Sequence, residues 1–247
     1  MPLISLTALL GLIVGLCAER KNFAAPVWNR IASKALGQVI YPCLIFSSLL
    51  LRFHWNELES LARLPLLIAV ILLAGLFFGR LSLPFANLTQ DASKRSYIFL
   101  SIMPNYSFVP LVLSQLIWGD RGIALVALTS VAADVSLWTF AYPQITGRMD
   151  WKRLFSPALL TLILTFVILR VAPDLSQGAW VPLLTGLGWI GKLTLPLSMY
   201  VLGTQLAKAS RTIIDQTAHK LLLIWRLLIC PLLMLGLIMI GGATLPY

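Results

Sequence analysis

Charged side chains are scarce in this sequence. Asp, Glu, Lys and Arg make up 11% of its 247 residues, whereas about a quarter is usual in soluble proteins. Hydrophobic residues make up 59%, and the mean hydropathy is +0.88. A soluble fold of this length would still need polar residues to cover its surface, and long stretches of the chain have none. The composition therefore excludes a soluble globular domain and predicts an all-α integral membrane protein.

Residues that carry enzyme or metal chemistry are also few. The three cysteines, Cys17, Cys43 and Cys230, lie in apolar runs without the spacing of a redox or metal motif, which indicates small buried side chains. The two histidines, His54 and His219, lie far apart near predicted helix ends. The sequence has no nucleophile paired with a base, no phosphate-binding loop and no zinc spacing. We therefore expect a protein that is not an enzyme and has no metal or cofactor.

Basic residues outnumber acidic ones. The chain has 19 Lys and Arg and 9 Asp and Glu, which gives a formal charge of +10. In a soluble protein this excess would suggest nucleic acid. Here the basic residues lie in short loops: thirteen follow the first, third, fifth and seventh apolar runs, and five follow the others. Cytoplasmic loops are enriched in Lys and Arg, so both termini are predicted outside the cytoplasm. The expected location is a plasma membrane, namely a bacterial inner membrane, with no nucleic-acid partner.

Apolar runs of bilayer length, about 17 to 25 residues, predict eight transmembrane helices. The first run has no preceding basic residues, so we interpret it as a span and not as a signal peptide. The runs cover residues 2–18, 34–53, 62–86, 96–118, 122–142, 156–173, 183–207 and 220–241.

The order of these spans predicts an inverted-repeat secondary transporter. Residues 1–142 would form a first five-helix repeat with a broken fourth helix and an acid in the fifth. Residues 143–247 would form a second repeat whose three spans correspond to helices 1 to 3 of the first. The correspondence rests on the seventh span, which contains a proline as the second does. We therefore expect a second repeat truncated to three helices.

The fourth span, SIMPNYSFVPLVLSQLIW, is the main candidate for a substrate site. Pro104 and Pro110 each remove a backbone donor, and they bracket Asn105, Tyr106 and Ser107. In a bilayer, irregular backbone is tolerated where it lines a cavity. Helix-end amides and Asn105 could hold a carboxylate, so a small organic anion is the expected substrate. A simple proline kink is the alternative.

Asp134, in the fifth span, is the only acidic residue near the middle of a predicted span, and Arg226 lies about two turns into the eighth. Both are candidates for proton or ion coupling. An acid near the middle of a span usually marks a proton or cation pathway. The alternative is a neutral Asp134 hydrogen-bonded to Ser130, one turn away. Arg226 could pair with Asp134, bind an anionic substrate, or extend its guanidinium to the cytoplasmic interface.

Prolines and polar residues occupy corresponding places in the second and seventh spans. Pro42, Pro196 and Gln205 are therefore further candidates for substrate binding, on helices whose polar sides would line the cavity. The alternative is that the Ser and Thr hydroxyls of these spans bond helix carbonyls and permit close packing. The residues concerned are Pro42, Ser47 and Ser48, and Pro196, Ser198, Thr204 and Gln205.

Several segments resemble the auxin efflux carrier family, which includes plant auxin exporters and bacterial malate permease-like proteins. NYSFVPLVLSQLIWGDRGIALVAL is similar to the family's segment from span 4 to span 5, and VIYPCLIFSSLL is similar to its second span. SPALLTLILTFVILR, TLPLSMYVLGTQLAK and WRLLICPLLML resemble its sixth, seventh and eighth spans.

The resemblance implies ten helices in two inverted repeats, with broken helices 4 and 9 crossing at the substrate site. It implies a scaffold of spans 1, 2, 6 and 7, a mobile bundle of the others, and a homodimer. By the same resemblance Asn105 and Pro110 would lie beside the substrate. Two features depart from the family: Asp134 stands where an amide is common, and helices 9 and 10 are missing.

The leading hypothesis is a multi-pass permease or efflux carrier that moves a small mono- or dicarboxylate across the bilayer, with proton coupling. One alternative is a truncated, non-transporting paralogue or accessory subunit. A further alternative is a cation-coupled carrier of the bile-acid or antiporter type.

Overall fold

The computed structural model describes residues 2–20, 26–61, 63–104, 108–149, 151–172, 178–208 and 217–240. Every regular element in these ranges is helical, which confirms the all-α prediction. The α-helices are α1 (Pro2–Arg20), α2 (Pro26–Ala35), α3 (Tyr41–Arg52), α4 (Trp55–Leu61), α5 (Arg63–Ser82), α6 (Asp91–Ile102), α7 (Phe108–Ser136), α8 (Tyr142–Thr146), α9 (Trp151–Leu154), α10 (Pro157–Val171), α11 (Val181–Lys192), α12 (Thr194–Lys208), α13 (Thr217–Ile224) and α14 (Cys230–Ile240).

Four helical stretches in the described part of the chain are long and apolar enough to cross a membrane. This agrees with a membrane protein. The predicted fourth and seventh spans are each divided between two helices, α6 and α7 in the first case and α11 and α12 in the second. The eight-span arrangement stays a prediction. The four long stretches are Val27–Arg52, Arg63–Ala86, Val109–Thr146 and Thr217–Leu237.

The helices form two compact units. Unit 1 contains α1 to α4, the first part of α7, and α10 to α12, and unit 2 contains α5, α6, the end of α7, α8, α9, α13 and α14. Unit 1 comprises Met1–Ala62, Asn105–Val131 and Phe155–Ala209, and unit 2 comprises Arg63–Pro104, Ala132–Leu154 and Ser210–Tyr247.

Glycines bring α1 and α12 into backbone contact within unit 1. A Cβ atom at Gly15 would lie 2.2 Å from the carbonyl oxygen of Tyr200. One at Gly203 would lie 2.3 Å from the carbonyl oxygen of Leu12, and Gly11 makes a contact of the same kind with α12. Side chains do not fit at such distances, so these positions require glycine. Close packing of this kind holds helices together in lipid, where the hydrophobic effect between helices is absent.

A sharp bend interrupts α7 at Gly119, whose backbone is left-handed and non-helical (φ 63°, ψ −145°). Glycine adopts this conformation without the steric penalty that a Cβ imposes. Beyond the bend, a Cβ atom at Gly122 would lie 2.4 Å from the carbonyl oxygen of Ser114. The two stretches of α7 therefore turn back on each other and pack closely.

Prolines shape the long helices through π-helical turns. A proline has no N–H, and its ring clashes with the carbonyl of the residue four positions earlier. A π turn adds one residue to the turn and moves that carbonyl aside, so the helix continues past the proline. Three π turns each end two residues before a proline: Leu36–Ile40 before Pro42, Leu137–Ala141 before Pro143, and Trp225–Ile229 before Pro231.

Candidate functional site

The predicted interruption of the fourth span is present. α6 ends at Ile102, and α7 begins at Phe108. Met103 has an extended backbone (φ −102°, ψ 92°), because the ring of Pro104 disfavours the helical conformation in the residue before it. Pro110 is the third residue of α7, in the first turn, where proline is tolerated. The two prolines therefore bracket the break.

The main-chain carbonyl groups of Leu100, Ser101 and Met103 form what we call the carbonyl end of α6. Arg226 Nη2 donates to the carbonyl oxygens of Leu100 at 2.6 Å and Met103 at 2.9 Å. Trp225 Nε1 donates to the carbonyl oxygen of Ser101 at 2.9 Å. Two neighbouring side chains of the last helical stretch thus satisfy all three carbonyls.

Pro104 explains why the carbonyl end of α6 needs hydrogen-bond donors from another helix. In a continuing helix the carbonyl of Leu100 would accept a bond from the N–H of residue 104. That residue is Pro104, which has no N–H. An unpaired carbonyl in a bilayer costs several kcal/mol, so the bond from Arg226 replaces one that the proline removes.

The π turn Trp225–Ile229 holds the two donor side chains. The Trp225 side chain is buried and stacks on Phe78 of α5, with 4.7 Å between ring centroids and 16° between ring planes. This stacking fixes the direction of the indole N–H. The C-terminal end of a helix carries partial negative charge, so the neighbouring Arg226 cation is also favoured electrostatically at the end of α6.

The Arg226 guanidinium has N–H donors beyond those on Nη2. Its Nε atom is buried and has no hydrogen-bond partner in the described part of the chain. A buried donor without a partner costs about 1–3 kcal/mol. A guanidinium whose Nη2 is already hydrogen-bonded and whose Nε is not can bind a carboxylate by donating parallel N–H hydrogen bonds to it.

The structure brings only some of the predicted site residues together. Pro104 lies next to the carbonyl end that Arg226 contacts. Asp134 is half-buried in α7 and belongs to unit 2, as Arg226 does. The Ser130 hydroxyl donates to the Ala127 carbonyl oxygen at 2.9 Å and is hydrogen-bonded to the Tyr41 hydroxyl. The predicted residues Asn105, Tyr106 and Ser107 lie outside the described residues.

The candidates of the second and seventh spans lie in unit 1. Pro42 is half-buried in the first turn of α3, Pro196 is half-buried in the first turn of α12, and Gln205 is exposed. The hydroxyls of Ser47 and Ser48 donate to carbonyl oxygens of their own helix, as the packing alternative predicts. The same two residues also line an open cavity.

Sequence reasoning missed the contribution of Trp225. Two local signals were present: Leu100 precedes Pro104 by four residues, which predicts an unpaired carbonyl, and a Trp-Arg pair stands shortly before Pro231. Nothing in the sequence connects these signals, because the hydrogen bond from Trp225 to Ser101 joins residues 124 positions apart.

Comparison with family models gives one match. The model of a family described as membrane transport protein matches residues 4–150, which is more than half of the chain. The match extends from α1 to α8 and includes the break between α6 and α7. No curated protein and no solved structure matches the chain.

Proposed function

Because the chain belongs to the membrane transport protein family that includes the auxin efflux carriers, we propose that it is a secondary transporter for a small organic anion. The observation that carries the proposal is the broken helix whose carbonyl end is held by Arg226. Broken helices form substrate sites in many secondary transporters. The family is one of transporters, so the proposed activity includes no covalent chemistry.

The proposed substrate is a mono- or dicarboxylate, and its proposed ligand in unit 2 is Arg226. Arg226 lies inside Thr217–Leu237, a stretch apolar enough to cross a membrane. A charge at that depth usually marks a substrate or ion pathway. The buried Nε without a described partner supports an anion as the ligand.

The unit boundaries support the grouping of spans 1, 2, 6 and 7 as a scaffold. The helices of predicted spans 1, 2, 6 and 7 all belong to unit 1, which is the proposed scaffold. The third and eighth spans and the first half of the fourth belong to unit 2, whereas the second half of the fourth span and the start of the fifth belong to unit 1. We propose an inverted-repeat arrangement, with residues 1–142 and 143–247 as the repeats, both termini outside the cytoplasm and a homodimer in the plasma membrane.

Uptake of labelled carboxylates into proteoliposomes tests the function. We expect time-dependent uptake of at least one mono- or dicarboxylate, and no uptake of its neutral amide, because an amide cannot replace a carboxylate on a guanidinium. Empty liposomes measure passive entry. Purified, folded protein that moves no carboxylate in either direction would rule the proposal out.

Proton coupling is proposed for Asp134. With an imposed proton gradient, wild-type uptake should accumulate substrate above the external concentration. Asp134→Asn should lose accumulation while retaining exchange of internal for external substrate, since only the proton-dependent step needs a titratable group. Asp91→Asn removes an acid of the same unit from a largely exposed side chain and is the matched control. Accumulation by Asp134→Asn equal to that of the control would exclude the coupling role.

A further inference from the structure

An exposed apolar stripe runs along the second half of α5 in unit 2. Phe77, Leu81 and Phe85 are 72%, 78% and 69% exposed. A spacing of four residues places Phe77 and Leu81 on one face of α5, and Phe85 follows in the 3₁₀ turn Leu83–Ala86. Since these residues belong to a stretch apolar enough to cross a membrane, we expect the stripe to contact lipid acyl chains.

A polar cavity of about 460 Å³ opens where this stripe ends. Five of its seven lining residues have side chains that can donate a hydrogen bond, and none of the seven is acidic. The five side chains have no hydrogen-bond partner among the residues that the structure describes. The cavity therefore favours a ligand that accepts hydrogen bonds. The five polar residues are Asn87, Thr89, Gln90, Ser93 and Thr217.

Helices that are distant in the sequence meet at this end of unit 2. The hydroxyls of Ser82 and Tyr97 are hydrogen-bonded at 2.7 Å, which joins the end of α5 to α6. Arg80 Nη2 donates to Gln144 Oε1 at 3.2 Å, which joins α5 to α8. A buried apolar cluster adds the start of α13, and its members are Ala86, Tyr97, Ala218 and Leu222.

Exposed cations lie at the same end, and we call Arg80, Arg148, Lys152 and Lys220 the basic end of unit 2. Lys220 lies one turn after the cavity residue Thr217 on α13. Arg148 and Lys152 come shortly after α8, and Trp151 beside them is 64% exposed. Cations next to an exposed tryptophan are typical of the level at which a protein crosses lipid head groups.

No described carboxylate forms an ion pair with any residue of the basic end. The nearby acid Asp91 pairs with Lys94 instead, at 3.3 Å. The positive charge of the basic end is therefore uncompensated within the described residues. Uncompensated cations at a membrane surface attract anionic lipids, and basic pockets between helices bind their head groups.

We propose that the basic end of unit 2 binds an anionic phospholipid whose head group occupies the polar cavity. The phosphate would accept hydrogen bonds from the hydroxyl and amide side chains of the lining, with Lys220 as the nearest cation of the basic end. One acyl chain would lie along the stripe Phe77, Leu81 and Phe85. A lipid fits better than a free anion, because only a lipid uses the apolar stripe and the polar cavity together. The inference goes beyond the proposed function, because lipid binding here does not require transport.

Phosphatidylglycerol is the probe, and phosphatidylcholine is the comparison lipid without net charge. Native mass spectrometry of the purified full-length protein measures the dissociation constant of the first bound lipid. Phosphatidylcholine should bind about fivefold or more weakly than phosphatidylglycerol. Lys220→Gln should weaken phosphatidylglycerol binding about fivefold, because each cation near an anionic surface contributes about that factor. Gln90→Lys should tighten it by a similar factor of about five, because it adds a cation to the cavity wall. Tighter binding is not a result that misfolding produces.

Arg63→Gln is the matched control, because it removes an exposed cation from the opposite end of α5, about 25 Å from Arg80. Its phosphatidylglycerol binding should equal that of the wild type. Equal binding by wild type, Lys220→Gln and Gln90→Lys would overturn the proposal, as would phosphatidylcholine binding as tight as that of phosphatidylglycerol. Inorganic phosphate that displaces the lipid at millimolar concentration would assign the cavity to a free anion and would also overturn it.

Discussion

Gly15→Ala is expected to lower the melting temperature of the purified protein by on the order of 10 °C. Overpacking a well-packed contact costs about 1–3 kcal/mol, and one kcal/mol shifts the melting temperature of a chain of this size by about 2–4 °C. The new methyl group would lie 2.2 Å from the carbonyl oxygen of Tyr200. A backbone atom cannot rotate away as a side chain can, so α1 and α12 must move apart.

Gly186→Ala is the control for this prediction. Gly186 also lies inside a helix, but a Cβ atom there has no neighbour within 4 Å among the described residues. Because alanine favours a helix over glycine by up to about 1 kcal/mol, its melting temperature should stay the same or rise. Thermal unfolding in detergent, followed by the loss of the monodisperse peak, measures both variants. Equal melting temperatures for the two would show that α1 and α12 are not in backbone contact.

Arg226→Met is expected to reduce carboxylate uptake by on the order of 100-fold, since loss of a hydrogen-bonded charge from an interface costs about 2–5 kcal/mol and Arg226 is half-buried. Methionine fills similar space but donates no hydrogen bond. It leaves the carbonyls of Leu100 and Met103 without the donor that the structure shows, and it removes the proposed ligand of the substrate.

Arg226→Lys separates the two roles of this side chain. Lysine keeps the charge but lacks the planar fork that spans two carbonyls and a carboxylate. Initial rates over a range of substrate concentrations should therefore show a raised KM with part of Vmax retained if Arg226 binds substrate. A lowered Vmax with unchanged KM would indicate that Arg226 only positions α6. Arg95→Gln, an exposed cation on the same helix as the carbonyl end, should match wild type. Full uptake by Arg226→Met would refute both roles.

The sequence was sufficient for the local features of the fold. Apolar runs predicted where helices lie, and the rule that proline removes a donor predicted the break near Pro104. The π turn before Pro42 follows from the same rule but was not predicted, because a proline clash can be relieved by a kink, a break or a wider turn. Packing around each proline decides which of these occurs.

Contacts between helices that are distant in the sequence could not be predicted from local sequence patterns. A spacing of four residues made Ser130 a candidate partner for Asp134, and that prediction stands untested. No spacing pointed to the hydrogen bond between the hydroxyls of Ser130 and Tyr41, which lie 89 positions apart. Likewise Lys192 contributed only to a charge count in the sequence, whereas the structure places it in a cavity with Arg52, which comes from a different helix. Such pairings depend on which helices become neighbours, and apolar periodicity does not encode that choice.

The bend at Gly119 also has a consequence for how the chain enters the membrane during synthesis. Residues 108–118, before the bend, form a helix about 16 Å long, whereas the hydrocarbon core is about 30 Å thick. This piece is too short to leave the translocon as an independent span. This short helix packs closely against the stretch of α7 after Gly119. We therefore expect the two stretches to enter the lipid together as one helical hairpin. The two helical stretches of this hairpin would therefore be joined by a bend at one glycine, Gly119, and not by a loop.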